Sequence, residues 1–255
     1  MQSQIQAIII ALAATPLVSA HGKIAMVTGD LGGNGTALGI KGAVVPGAGP
    51  NYMTEVDTTV FWSKDIATDD DIGYTESGSG NNKLEDLDQA MAQSGSTLPQ
   101  VSSGGSVSGT YHIVTTDGAG PVEALIDESA TGKWSQAKQA EVTKQPPGED
   151  GNIDAPEGSF SYKRGVLGMV RRSLVKMGIM EKRAENVNED YPFEVEIPAG
   201  TSCTGTINGE SNLCLVKISN NNDAGPFGGV FAVQMPGSNS TARVRRAAKF
   251  YPDLS

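Results

Sequence analysis

Two histidines are the residues of this chain whose type and position could hold a metal ion. His21 and His112 are the only histidines among its 255 residues. His21 follows the segment MQSQIQAIIIALAATPLVSA, in which an apolar run over residues 5–18 precedes a small Ser-Ala pair. Such a segment is typical of a secretory signal peptide that is cleaved after the last small residue. The sequence therefore predicts that residues 1–20 are removed and that His21 begins the mature chain.

An amino-terminal histidine has a chemical use that an internal histidine lacks. The free α-amine and the imidazole of His21 could chelate one metal ion together, and His112 would supply a second imidazole. Three nitrogen donors in one plane suit Cu(II), and this arrangement is a histidine brace. Each histidine considered alone is better explained as a structural residue. The copper brace is therefore a hypothesis that depends on cleavage directly before His21.

Short strand-like runs separated by turn residues must position these histidines. The alternation in residues 109–115 places Tyr111 and Ile113 on one face of a strand and His112 on the other. Similar runs occur at residues 23–28, 58–62, 122–126, 193–197, 214–218 and 230–235. This pattern favours a mainly β chain, an immunoglobulin-like or fibronectin-like β-sandwich with long loops. Helical spacing at residues 81–94 and 166–180 adds one or two short helices, the second basic and amphipathic, on a sheet edge or a membrane surface.

Composition limits the class of protein. The net charge of −10 argues against a nucleic-acid binder, and no second apolar run is long enough for an integral membrane span. We expect a secreted monomer with one domain over residues 21–255 and a variable charged insertion at about 128–190. The acidic run Asp69-Asp70-Asp71 is expected to be solvated.

Two cysteines and two sequons fit a secreted chain. Cys203 and Cys214 flank the turn signal Asn208-Gly209, so the simplest pairing is one disulfide that braces a hairpin. Asn34 and Asn239 stand in N-glycosylation sequons. A cysteine-based metal site is not expected, since the chain has no second cysteine pair.

Several segments together resemble a known family. They are HGKIAMVTGDLGGNGTALG, DTTVFW, LPQVSSGGSV, YHIVTTDGAGPVEALID, CTGTINGESNLCLVK and NDAGPFGGVFAVQ. They resemble the Egh/Mas-type appressorial proteins, which are secreted fungal cell-surface proteins associated with host infection. The resemblance spans most of the predicted mature chain and fails across about 128–190. It implies an extracellular or cell-wall-associated protein whose partner is a cell-wall polysaccharide or a host surface.

The amino-terminal His-Gly and the second histidine on a strand are also similar to lytic polysaccharide monooxygenases. That resemblance implies an aromatic residue in an axial position beside copper, for which Phe227 is the first candidate, with Phe231 and Tyr111 as alternatives. It also implies that Gln234 could donate a hydrogen bond to the oxygen species that such enzymes activate at copper. The predicted function is an infection-associated surface protein with a Cu(II) brace, and the alternative is a copper-dependent polysaccharide monooxygenase.

Whether the protein is an enzyme stays open at this point. A polysaccharide surface usually needs exposed aromatic rings, and Trp62 and Trp134 are the only tryptophans. Trp62 lies in an apolar run and is expected to be buried, which counts against the enzyme. No pair of carboxylates stands out for hydrolysis by acid–base chemistry.

Overall fold

Strands make up 45% of the described residues and helices 8%, so the prediction of a mainly β chain is confirmed. The computed structural model describes residues 21–40, 57–75, 80–156 and 185–237. The predicted signal peptide, the predicted basic helix at 166–180 and the sequon at Asn239 lie outside these residues.

The described elements are thirteen strands, one α-helix and two short 3-10 turns. The strands are β1 (Gly22–Gly29), β2 (Gly32–Gly35), β3 (Thr59–Val60), β4 (Tyr74–Thr75), β5 (Gly80–Asn81), β6 (Ser106–Thr115), β7 (Val122–Asp127), β8 (Lys138–Ala140), β9 (Val142–Lys144), β10 (Asn186–Glu196), β11 (Gly205–Ile207), β12 (Glu210–Asn220) and β13 (Phe227–Gln234). The helix α1 is Leu87–Ser94, and the 3-10 turns are Leu84–Asp86 and Trp134–Gln136. In the part of the chain that the structure describes, no helix is long and apolar enough to cross a membrane.

The strands form one connected, nearly closed, barrel-like sheet, and the specific prediction of an immunoglobulin-like sandwich is wrong. One half runs β9-β10-β6-β1 and the other runs β8-β7-β12-β13. A sandwich would keep two sheets without hydrogen bonds between them, but here the parallel pair Lys23 and Gly228 joins β1 to β13. On the opposite side, residues 138–144 form β8 and then β9. Strand β8 pairs with β7 of one half, and β9 pairs with β10 of the other. This segment lies within the predicted charged insertion and links the two halves.

Glycines explain why β13 has neighbours on both edges. A Cβ on Gly228 would lie 2.8 Å from the carbonyl carbon of Ile218, and a Cβ on Gly229 would lie 2.8 Å from the Cβ of Ala37. Only residues without side chains allow the neighbouring segments to come this close. Periodicity in the sequence reports which face of a strand is apolar but not which edges meet, so it could not show this junction.

Two apolar cores hold the barrel together. The first fills the space between the two halves and includes Ile24, Tyr111, Ile113, Phe193, Ile126, Val216, Ile218 and Phe231. The second lies on the other side of β7, β12 and β13, where α1 and the loops cover it, and it includes Leu38, Phe61, Leu87, Trp134, Leu215 and Val230. The middle of strand β12 is therefore buried on both faces, which explains its unbroken apolar run LCLV at residues 213–216.

The predicted hairpin, its disulfide and the first predicted helix are present. Asn208 and Gly209 have φ values of 50° and 89° and connect β11 to β12, as expected for a tight Asn-Gly turn. A disulfide joins Cys203 to Cys214, whose Cα atoms are 4.8 Å apart. Helix α1 buries Leu87, and the backbone N–H of Lys83 donates to the Asp86 carboxylate before it.

Candidate histidine site

The two histidines lie at the same end of the β1–β6 strand pair. The carbonyl oxygen of His21 accepts hydrogen bonds from the backbone N–H groups of Val114 and Thr115, at 3.0 and 3.2 Å. Two residues further on, Lys23 pairs directly with His112. If the strand geometry of β1 is continued back by one residue, His21 lies diagonal to His112, with Cα atoms roughly 7–8 Å apart. The start of β1 therefore lies against the strand that carries His112.

His112 is held by a carboxylate from the next strand. Asp190 on β10 pairs directly with His112, and its Oδ1 lies 2.6 Å from Nδ1 of the ring. A carboxylate can only accept, so this contact holds a proton on Nδ1 and leaves Nε2 of the neutral ring as the acceptor. Metal-binding histidines commonly show this arrangement. Sequence reasoning missed Asp190 because only the register of β6 against β10 brings it to His112.

His21 is fully buried among backbone and one aromatic ring. Its backbone nitrogen lies 2.7 Å from Oγ1 of Thr115. The ring of Phe227 meets its imidazole edge to face, with centroids 5.9 Å apart and planes at 88°. Close by, burial raises the pKa of the Asp117 carboxyl, while a hydrogen bond from Thr115 and the charge of His21 oppose that rise.

The other predicted site residues lie elsewhere. Gln234 stands at the far end of β13 from Phe227, seven residues away or roughly 23 Å along an extended strand. There its amide donates to the carbonyl of Ser211 and accepts from the side chain of Gln100. Phe231 and Tyr111 are buried in the core between the two halves, and burial raises the pKa of Tyr111. Of these residues, the structure brings only Phe227 to the histidines.

Two imidazoles are the donor type that a copper brace uses, and a carboxylate orients one of them. The third donor, the α-amine, exists only after cleavage before His21. Among the described residues, no group of three or more His, Cys, Asp and Glu side chains could hold a metal ion. A metal at this site would therefore need the terminal amine.

Two expectations about polar and aromatic residues are corrected here. The expectation that Trp62 is buried is wrong, since its side chain is 65% exposed. Strand β3 ends at Val60. The next side chain, Phe61, enters the second core, and Trp62 after it faces solvent. The acidic run was expected to be solvated, but Asp71 is half-buried. Its Oδ1 lies 3.7 Å from Nζ of the buried Lys217, and burial raises its pKa.

Fold and site together define a mainly β protein with a pair of histidines at one end of a curled sheet. Residues 19–228 match the family of Egh16-like virulence factors, and the chain belongs to that family. The predicted resemblance to appressorial proteins is thereby confirmed.

Two relatives come from the fungus Pyricularia oryzae. The appressoria-specific virulence factor GAS1 is 37% identical over 235 residues, which cover 92% of this chain and 79% of that protein. The appressoria-specific virulence factor GAS2 is 29% identical over 154 residues, or 60% of this chain and 43% of that protein. No solved structure matches the chain.

Proposed function

We propose that this protein is secreted, acts at the fungal surface during infection, and carries one Cu(II) ion in a histidine brace. Family membership supports the infection-associated role. The observation that supports the copper proposal is that the His21 carbonyl bonds to Val114 and Thr115 on β6, two and three residues beyond His112. This arrangement needs no residue beyond the two histidines and the amine that signal-peptide cleavage creates.

The surrounding residues have separable tasks in this proposal. The α-amine and imidazole of His21 and Nε2 of His112 would hold the ion, and bound copper would supply a redox-active centre. Asp190 fixes the ring and the tautomer of His112. Phe227 covers one edge of the His21 ring and keeps water from that side. Thr115 accepts a hydrogen bond from the backbone nitrogen of His21 and would position it once cleavage turns it into the α-amine.

Calorimetric titration of the secreted, mature protein with Cu(II) tests the proposal. We expect one tight site, a loss of tight binding in His112→Ala, and the same loss when one glycine precedes His21. Asp190→Asn should weaken binding by roughly 10–100-fold, since groups that orient a metal ligand have effects of this size. Equal affinity of the extended and native proteins contradicts the brace, as does an N-terminal sequence that begins at another residue.

Oxidative cleavage of a polysaccharide is a second candidate function. The observation that favours it is the edge-to-face contact of Phe227 with the His21 ring, because the resemblance to polysaccharide monooxygenases implies an aromatic residue beside the metal. The test incubates copper-loaded protein, a reductant and peroxide with cellulose, chitin and β-1,3-glucan, and analyses the products by mass spectrometry. Oxidised oligosaccharides that require His112 would support cleavage. Their absence with copper confirmed in place would leave the surface role without catalysis.

A further inference from the structure

An exposed pair of aromatic rings stands out on the surface. Trp62 is 65% exposed, and its ring stacks on Tyr74 with centroids 4.7 Å apart and planes at 30°. Tyr74 pairs with Val60 across β3 and β4 and packs against Val60 and Phe227. The sheet therefore fixes one ring of the pair, and that ring supports the other. Tryptophan and tyrosine rings are enriched at binding surfaces, so this pair is the exposed feature on which a ligand could stack.

A cleft with polar walls adjoins the exposed tryptophan. It has a volume of about 210 Å³. Its lining includes Trp62, Asp70, Asp71, Asn81, Asn82 and Thr131. The combination of one aromatic surface with several hydrogen-bonding side chains suits a ligand that has both apolar faces and hydroxyl groups at its edges.

The cleft carries two aspartates whose carboxylates accept hydrogen bonds. Oδ1 of Asp71 accepts from the backbone N–H of Gly73. The Asp70 carboxylate is oriented by the backbone N–H and the hydroxyl of Ser135. Hydroxyl groups of a ligand could donate to these carboxylates, whereas an anionic ligand would be repelled by them and by the net charge of −10.

We propose that Trp62, Tyr74 and the adjoining cleft bind a neutral polysaccharide chain. The C–H face of one sugar ring would stack on the exposed indole, and its hydroxyl groups would bond to Asp70, Asp71 and Asn81. This proposal names the polymer class for the surface role proposed above, but its geometry is separate from the histidines. A phosphorylated or uronic-acid polymer does not fit the carboxylates, and an acidic cleft does not fit an anionic membrane.

The site also lies close to the histidines along the sheet. From β4 the strand order runs through β3 and β13 to β1, three neighbour spacings or roughly 14 Å. Phe227 contacts His21 on one side and packs with Val60 and Tyr74 on the other. A polysaccharide bound at Trp62 could therefore extend towards His21.

Binding of the mature protein to cellohexaose, chitohexaose and laminarihexaose tests this proposal, with oligogalacturonate as the anionic control. Calorimetry and tryptophan fluorescence are the measurements, and the emission change is assigned by comparison with Trp62→Ala, because the buried Trp134 contacts Asp71 of the cleft. We expect binding to at least one neutral oligosaccharide, a loss of roughly tenfold or more in Trp62→Ala, and partial rescue in Trp62→Phe. Met26→Ala, at an apolar side chain that is 49% exposed on β1, is the matched control and should bind like the wild type.

Cross-tests separate this proposal from the copper brace. Trp62→Ala should keep its copper affinity, and His112→Ala should keep its affinity for the oligosaccharide. Wild-type protein that binds none of the neutral oligosaccharides overturns the polysaccharide site and leaves the brace untouched. Trp62→Ala that binds as tightly as the wild type, or tighter binding of oligogalacturonate, overturns it as well.

Discussion

Replacing Gly118 with alanine should displace His21 without removing any proposed ligand. Gly118 lies in the turn between β6 and β7, directly against the start of β1. A Cβ at this position would lie 2.6 Å from the backbone nitrogen of Gly22, and closer still to the carbonyl of His21. Ordinary contacts begin at 3.4 Å, so one of the two backbones must move by roughly 0.8 Å or more. Neither neighbour can rotate away, because both are main chain.

The expected cost follows from this overlap. Overpacking of a filled site costs roughly 1–3 kcal/mol, which for a chain of this size lowers the melting temperature by roughly 2–12 °C. A metal site tolerates displacements of only about 0.5 Å. The copper affinity should therefore fall by roughly tenfold or more, although His21 and His112 are both retained.

Thermal unfolding followed by circular dichroism and calorimetric titration with Cu(II) measure the two effects. Gly237→Ala is the matched control, since its Cβ would lie 3.3 Å from Nδ2 of Asn212, the end of a flexible side chain. A Gly118→Ala variant that melts like this control would refute the packing of the turn against β1. A lowered melting temperature with unchanged copper affinity would refute the argument that this packing positions a ligand.

Two further predictions concern the stability of the fold. Burial alone would raise the pKa of Asp127, but hydrogen bonds from Ser129, Gly132 and Thr131 outweigh it and hold the pKa below its usual value. The ionised carboxylate therefore stabilises the fold at pH values above its unfolded pKa of about 4, and this contribution is lost as the pH falls through the lower folded value. Asp127→Asn should lower the free energy of unfolding by roughly 1.5–3 kcal/mol near neutral pH. Its free energy of unfolding should also fall less steeply at acid pH than that of the wild type. Parallel pH profiles of the two proteins would contradict this. Replacing both Cys203 and Cys214 with alanine should lower the free energy of unfolding by about 3 kcal/mol in denaturant titrations, because the bond closes a short loop; an unchanged midpoint would contradict that.

Local features of this chain were predictable because they depend on neighbours in sequence. The period-two alternation around Tyr111 and Ile113 places both in the core and leaves His112 on the other face. The Asn-Gly turn and the flanking cysteines define one hairpin and its disulfide. In each case the physical signal extends over fewer than about fifteen residues, as it does for the apolar spacing of α1.

Features that depend on strand edges and register were not predictable in the same way. The parallel pair between β1 and β13 joins residues about two hundred positions apart, and it converts the expected sandwich into a barrel-like sheet. Asp190 reaches His112 only through the register of β10 against β6. Trp62 is exposed because β3 ends two residues earlier, and the apolar residues around it give no sequence signal for that strand end.

The start of β13 explains why the two proposed sites lie on one region of the sheet. Phe227 is the first residue of that strand, and it contacts the His21 ring while packing with Val60 and Tyr74. The next two residues are glycines, so β1 and β12 approach this end of the strand closely on its two edges. A bulky side chain at Gly228 or Gly229 would separate these strands, and with them the histidine from the aromatic pair. The GPFGG turn would therefore set the distance between the two proposed sites, one for a metal ion at His21 and one for a sugar ring at Trp62, and catalysis on a bound polymer would depend on that distance.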